Sequence, residues 1–308
     1  MAATGSNIGA ALVSEENRAR WTRMHGQTAA QWIDGLPERL QRYSVLWGFQ
    51  AREAMLGGAV SVVAAGERSG DAVVCKLAPP WSRWSEPEAA VLRFWNGGPA
   101  PRLLAEDDGG RTLLLERILP GTRANGLAPA EVAGLLRRLD GEGNGSRPTA
   151  LPALGEMATV RFDRAREDRS GLLGSRRLAS ARRLGLELCE RDDGRPVVVH
   201  GDFLAKNLLC SAARGVVVID PNPALGEAAY DAAMWCVTER PIDRALERCR
   251  QLADELALDH ERVLAWVYAL GAGEVALAAR DRAAETLAFL ERHGPAWCRP
   301  VAARSPGG

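Results

Sequence analysis

Lysine is nearly missing from this chain. Lys76 and Lys206 are the only two in 308 residues, and arginine makes up the rest of the 39 basic side chains. Asp and Glu also number 39, so the formal net charge is zero. A nucleic acid or a membrane surface therefore has no excess charge to meet, and neither is expected as a partner. No window approaches 18 apolar residues, and no basic segment leads into an apolar one near the N-terminus. Neither a membrane span nor a secretory leader is expected, and the chain is read as cytoplasmic. The six cysteines (Cys75, Cys189, Cys210, Cys236, Cys249 and Cys298) contain no Cys-x-x-Cys and no cluster. Buried thiols in a reducing compartment are expected, rather than disulfides or zinc. Gly-x-Ser-x-Gly is absent too, which removes one common frame for a nucleophilic serine. Internal repeats are absent.

What is present gathers around residues 197–220. Val197-Val198-Val199 reads as a short buried strand; His200-Gly201-Asp202 follows, then four residues, then Asn207. A second β-branched run, Val216-Val217-Val218-Ile219, ends on Asp220. This pattern implies a loop between two strands with three oxygen-bearing side chains facing one point. Asp202 is placed to take a proton from a hydroxyl. Asn207 and Asp220 are the oxygen donors a hard divalent cation prefers. The combination is that of phosphoryl transfer in the kinase class, with the cation expected to be Mg2+. The alternative is a plain turn, since His-Gly-Asp after a strand is also good turn chemistry.

At 308 residues and 46% hydrophobic content the chain exceeds one ordinary core. Residues 1–13 are read as a loose tail, and 14–46 as helices interrupted at Gly26 and near Gly35, with Trp21 and Trp32 in the core. Three strands follow at 47–55, 59–65 and 72–77, then a short helix at 87–95, then a hairpin at 101–106 and 112–116. Residues 117–121 break the pattern and read as a hinge. Helices are expected at 129–139, through 155–190, and at 227–237, 243–256 and 260–292. The arginines of 155–190 are read as solvated faces. His25, His260 and His293 have no partner that the sequence identifies.

Lys76 lies in the third strand between Cys75 and Leu77, which argues against a freely solvated side chain. In nucleotide kinases a strand lysine neutralises phosphate oxygens and is held by a glutamate of the next helix. Glu88 is the candidate, with Glu86 as the substitute. Backbone N–H groups in the turn 56–61 could approach phosphates, and Ser61 could add a hydroxyl. The layout places an adenine against the backbone near Glu116 and Ile118. Asp231 either bonds back to the loop around Asp202 or, with Glu227, faces a cationic substrate. Both also fit as carboxylates at a helix start. Glu274 is a third acidic candidate for a cationic substrate.

These residues, taken with Glu88–Trp95, Pro101–Leu104, Leu113–Arg117 and Ile219–Asp231, resemble the aminoglycoside phosphotransferases, nearest the streptomycin 6-phosphotransferase and hydroxyurea phosphotransferase group. The resemblance spans roughly residues 25–290. It implies an α+β, protein-kinase-like fold of two lobes, divided as 1–116 and 117–308. The first would hold a five-stranded antiparallel sheet and a helix; the second would be larger and mainly helical, with ATP (or GTP) in the cleft. It implies Asp202 as base or hydroxyl-orienting residue and Asn207 and Asp220 as Mg2+ ligands. Lys76 and Glu88 would meet the phosphates, and 116–118 the adenine. The expected activity is phosphorylation of a hydroxyl on a small antibiotic such as streptomycin, by a monomer or homodimer. Hydroxyurea, a nucleoside or peptide antibiotic, a sugar, or a nucleotide-binding pseudokinase are the alternatives. Two departures from the family pattern are Leu204, where histidine is common, and Lys206 beside Asn207. Asp-Phe-Gly and Ala-Pro-Glu are absent, so a protein kinase fits less well.

Overall fold

The computed structural model describes Ile8 and residues 11–56, 60–141, 147–149, 151–166, 168, 170–190 and 194–298. The chain divides into two compact units: Met1–Thr122 with Gly143–Ala150 and Leu209–Ile219, and Arg123–Glu142 with Leu151–Leu208 and Asp220–Gly308.

The first unit is built on a sheet. Helices α1 (Glu15–Asp34) and α2 (Leu36–Trp47) precede strands β1 (Gln50–Met55), β2 (Val62–Arg68) and β3 (Asp71–Leu77). Helix α3 (Ser85–Trp95) and the hairpin β4 (Leu103–Asp107) and β5 (Thr112–Glu116) follow. The five strands run β1-β2-β3-β5-β4, and each neighbouring pair is antiparallel. The expected strand at 47–55 starts three residues late because α2 runs on to Trp47 and stops at Gly48, whose positive φ of 64° caps it. Helix α1 is kinked at Gly26 as expected.

One sheet face, carrying Val62, Ala64, Val73, Cys75, Leu77 and Leu114, forms a single core with Trp21, Trp32, Ile33, Leu36, Leu40 and Tyr43 of the helices. Ile8 and Leu12 join that core, so these two residues of the expected loose tail are tied down by apolar burial. Trp21 and Trp32 meet edge to face at 5.8 Å, and His25 stacks on Trp81 at 4.4 Å, a partner not legible in the sequence. Residues 57–59 of the candidate phosphate turn lie outside the described residues.

Three further short strands make a small sheet in the order β6-β8-β9: β6 (Pro120–Arg123), β8 (Leu208–Ser211) and β9 (Gly215–Val218). Arg214, in the β8–β9 turn, donates to the Gly97 and Ala100 carbonyls and, at 2.6 Å, to Glu116.

The second unit is helical: α4 (Pro129–Gly141), α5 (Leu154–Ala165), α6 (Ser175–Glu190), α7 (Ala228–Thr238), α8 (Ala245–Leu256), α9 (His260–Leu277) and α10 (Arg280–His293). Helix α9 touches α5, α6, α7, α8 and α10 and is apolar on nearly every side, as a central helix must be. The single helix expected over 260–292 is two. Ala278 and Ala279 are extended, and Leu290 of α10 returns onto Gly271 of α9. No glycine or proline marks that break; packing makes it. Strand β7 (Val197–Val199) pairs antiparallel with β10 (Ala224–Gly226). The two valine runs read from the sequence as flanking strands therefore belong to different sheets. All six cysteines are thiols. Among the described residues no helix is long and apolar enough to cross a membrane.

Candidate active site

In the second unit the chain leaves β7 through a tight turn. Gly201 takes φ +76°, and a Cβ there would lie 1.9 Å from the Asn222 carbonyl oxygen, so only glycine fits. The Asn222 N–H in turn donates to the His200 carbonyl at 2.9 Å. This stitches the segment after Asp220 to the turn before Asp202. Asp220 itself is exposed and sits at φ +59°, a left-handed conformation that costs a non-glycine residue some strain. His200 is fully buried, and its Nδ1 accepts the Asp202 N–H at 3.3 Å, which makes Nδ1 the unprotonated nitrogen.

The turn is held from below by α7. Asp231 is buried and takes the His200 N–H at 2.6 Å on one oxygen and the Gly201 N–H at 3.0 Å on the other. Burial pushes its carboxyl up to about 7, against the pull of those two N–H groups, and the charge of Asp202 adds to the rise. Thr238 on the same helix accepts the Ala205 N–H at 3.2 Å. Of the two roles open for Asp231, the geometry matches the bond back to the loop. Glu227 is also turned inward: it pairs with Arg262, at 2.8 Å from Nη2, and accepts the Trp266 indole N–H at 2.6 Å. Both carboxylates thus have their partners inside the helical unit.

Asp202 and Asn207 are brought together. The Asn207 Nδ2 donates to the Asp202 carbonyl at 2.9 Å and to its Oδ2 at 3.1 Å. With its nitrogen so committed, the Asn207 Oδ1 is the atom it offers to a cation. The other Asp202 oxygen, Oδ1, takes Arg161 Nη1 at 3.1 Å, and Arg161 Nη2 reaches Glu274 Oε1 at 2.5 Å. Burial works against the Arg161 charge, but the Tyr230 oxygen and the carboxylates of Glu274 and Asp202 outweigh it, and its pKa is raised.

Arg161 is the residue that the sequence reading misplaced among solvated arginines. Its side chain is only 12% exposed. The signal was present: Leu154, Ala158 and Ala165 are buried, and position 161 falls on the same helical stripe. An arginine there must go inward and needs anionic company. Leu204 is buried and Lys206 exposed.

In the first unit, strand alternation turns Lys76 away from the face that carries Cys75 and Leu77. There its ammonium meets both oxygens of Glu88, at 2.6 and 2.9 Å. Glu88 is 5% exposed, whereas Glu86 is exposed and is not the partner. Two acidic residues in the first turn of α3 suit its dipole. Glu116 closes β5, but its carboxylate holds Arg214 and the Arg102 N–H, and its own N–H goes to the Arg102 carbonyl. Any adenine contact there is left to its carbonyl. Ile118 is buried, and Ser61 is half-buried at a bend before β2.

Among the described residues no three His, Cys, Asp or Glu side chains form a metal cage. The donors at 207 and 220 are hard oxygens, which suit Mg2+ when phosphates and water complete its shell.

Residues 46–282 match the family described as aminoglycoside/hydroxyurea antibiotic resistance kinase. The chain is 30% identical over 301 residues to a streptomycin 6-kinase of Streptomyces glaucescens, covering 90% of this chain and 95% of that protein. It is 30% identical over 278 residues to a hydroxyurea phosphotransferase of Kitasatospora aureofaciens, covering 84% and 80%. In three dimensions it resembles a choline kinase of Streptococcus pneumoniae, with TM-score 0.57 and 13% identity over 81% of this chain and 97% of that one. It also resembles an aminoglycoside phosphotransferase solved with ADP and hygromycin B, with TM-score 0.54 and 14% identity over 83% and 98%. These two share the protein-kinase-like fold.

Proposed function

Because the chain belongs to the aminoglycoside/hydroxyurea antibiotic resistance kinase family, we propose that it is an ATP- and magnesium-dependent O-phosphotransferase of the cytoplasm, with streptomycin as its acceptor. The observation that carries the reading is the Asp202–Asn207 bond of 3.1 Å, inside a loop whose sequence is His-x-Asp-x4-Asn. A carboxylate held on both oxygens, and only 18% exposed, points one way.

Asp202 receives the acceptor hydroxyl and aligns its oxygen with the terminal phosphorus. The new O–P bond forms as the bond from that phosphorus to the bridging oxygen breaks; ADP leaves, and the hydroxyl proton passes to Asp202 and on to water. Lys76, with its direction fixed by Glu88, neutralises phosphate oxygens. Asn207 Oδ1 and the Asp220 carboxylate hold Mg2+, whose contribution when bound is to offset charge on the phosphates. The backbone at Glu116 and Ile118 meets the adenine. Catalysis is then mostly positioning and charge compensation. Phosphorylation adds up to two negative charges to a cationic drug, which spoils its fit to its target.

The test is phosphate transfer from ATP to a panel containing streptomycin, other aminoglycosides and hydroxyurea, with Asp202→Ala as control. Streptomycin should be consumed, and the control should lose about 10²- to 10⁴-fold in kcat. Transfer to hydroxyurea alone would move the acceptor to the second reading, which the 30% identical hydroxyurea phosphotransferase supports. Unchanged turnover in Asp202→Ala would remove the assignment.

A further inference from the structure

We propose that Arg161 is a positioning residue for the transfer, acting through Asp202, and that Glu274 is its anchor rather than a contact to the acceptor. The inference rests on the role given above to Asp202. Arg161 reaches from α5 with one guanidinium nitrogen on Asp202 and the other on Glu274 of α9. Its third nitrogen, Nε, is buried without a hydrogen-bond partner among the described residues. Met234 Sδ of α7, 3.3 Å from Nη2, closes one flank.

Three helices thus converge on one planar fork, and a fork has two fixed directions. With Glu274 holding one prong, the other is aimed at Asp202 Oδ1. Asn207 meanwhile holds Oδ2. The carboxylate plane is therefore set from both edges, and the acceptor oxygen meets it in one orientation. Without the fork, Asp202 keeps only the loop's own contacts and can rotate about its side-chain bonds. The loss falls on alignment in the reacting complex, which is a kcat effect, and not on binding of either substrate.

The test is steady-state kinetics of Arg161→Met, Arg161→Lys, Glu274→Gln and the double variant Arg161→Met/Glu274→Gln, with nucleotide binding measured separately. Arg161→Met should lower kcat about a hundredfold while KM for ATP and acceptor moves less than about threefold. Arg161→Lys keeps the charge and can hold one carboxylate but not both, so its kcat should fall between parent and Met. Glu274→Gln should lower kcat by about tenfold, and the double variant should be no worse than Arg161→Met, since Glu274 acts only through the arginine. Circular dichroism checks that each is folded; if Arg161→Met is not, the lysine variant and Glu274→Gln decide. Parental kcat in the folded Arg161 variants, additive losses in the double variant, or a Glu274→Gln effect confined to acceptor KM would each overturn the inference. Asp202→Ala separates the two layers. If it keeps turning over, the function reading falls and takes this inference with it. If it is inactive while the Arg161 variants are not, the inference alone falls.

Discussion

Burial sorts the carboxylates of this protein into those that can act and those already engaged. Asp231 and Glu227 are spent on backbone N–H groups, an arginine and an indole, whereas Asp202 keeps an edge toward solvent. Asp231 makes a pH prediction. Its folded pKa of about 7 stands above the ordinary 3.8, so the folded chain keeps a proton that the unfolded chain has released. The stability from this group is full below about pH 4 and is lost as pH rises through about 7. The urea midpoint should therefore fall between about pH 5 and pH 7.5. In Asp231→Asn, which cannot titrate, it should fall less, after a uniform cost of about 1 kcal/mol for one lost acceptor. Lys76 makes a second. Lys76→Met strands Glu88 in a buried site and should cost about 3–5 kcal/mol in chemical denaturation. Lys76→Met/Glu88→Gln should recover part of that stability without recovering ATP affinity, which separates the structural share of the pair from its share in binding.

Elements place these side chains by two devices. Alternation along β3 puts Cys75 in the core and Lys76 on the opposite face. The turn after β7 uses the missing side chain of Gly201 to bring two stretches of backbone together. Gly201→Ala should be among the most damaging small substitutions in the chain, because both the positive φ and the Asn222 carbonyl at 1.9 Å oppose a methyl group. A loss of about 3 kcal/mol or more in thermal or urea unfolding is expected, along with loss of transfer activity as Asp202 shifts. Gly66 meets the same limit in the first unit, where a Cβ would lie 2.1 Å from the Gln50 carbonyl beside the register shift between β1 and β2. Sequence periodicity found the five strands of that sheet and most helices, because each buries one face and repeats accordingly. It missed β6, β8 and β10, of four, four and three residues, which are too short to show a period.

For the molecule as a whole, the prediction is linkage between ligand and stability. Mg2+ and ATP at about a hundred times their dissociation constant should add about 2.7 kcal/mol, seen as a melting shift of several degrees. EDTA should abolish transfer and shrink that shift. A shift indifferent to EDTA would take Mg2+ out of the nucleotide site.

The order of residues alone put Lys76 in a strand with Glu88 or Glu86 within reach, and Asp202 and Asn207 in one loop, because these are written in local spacing and strand period; the kinase-like class came from the family resemblance that these motifs carry. Tertiary structure decided which carboxylates Arg161 meets, what occupies Glu227, Asp231 and Glu274, and why one expected helix is two. The side-chain outcomes depend on partners 30 to 113 residues apart. A charged side chain goes wherever a distant counter-charge and the lack of water make it cheapest to be, and no local pattern records that distance.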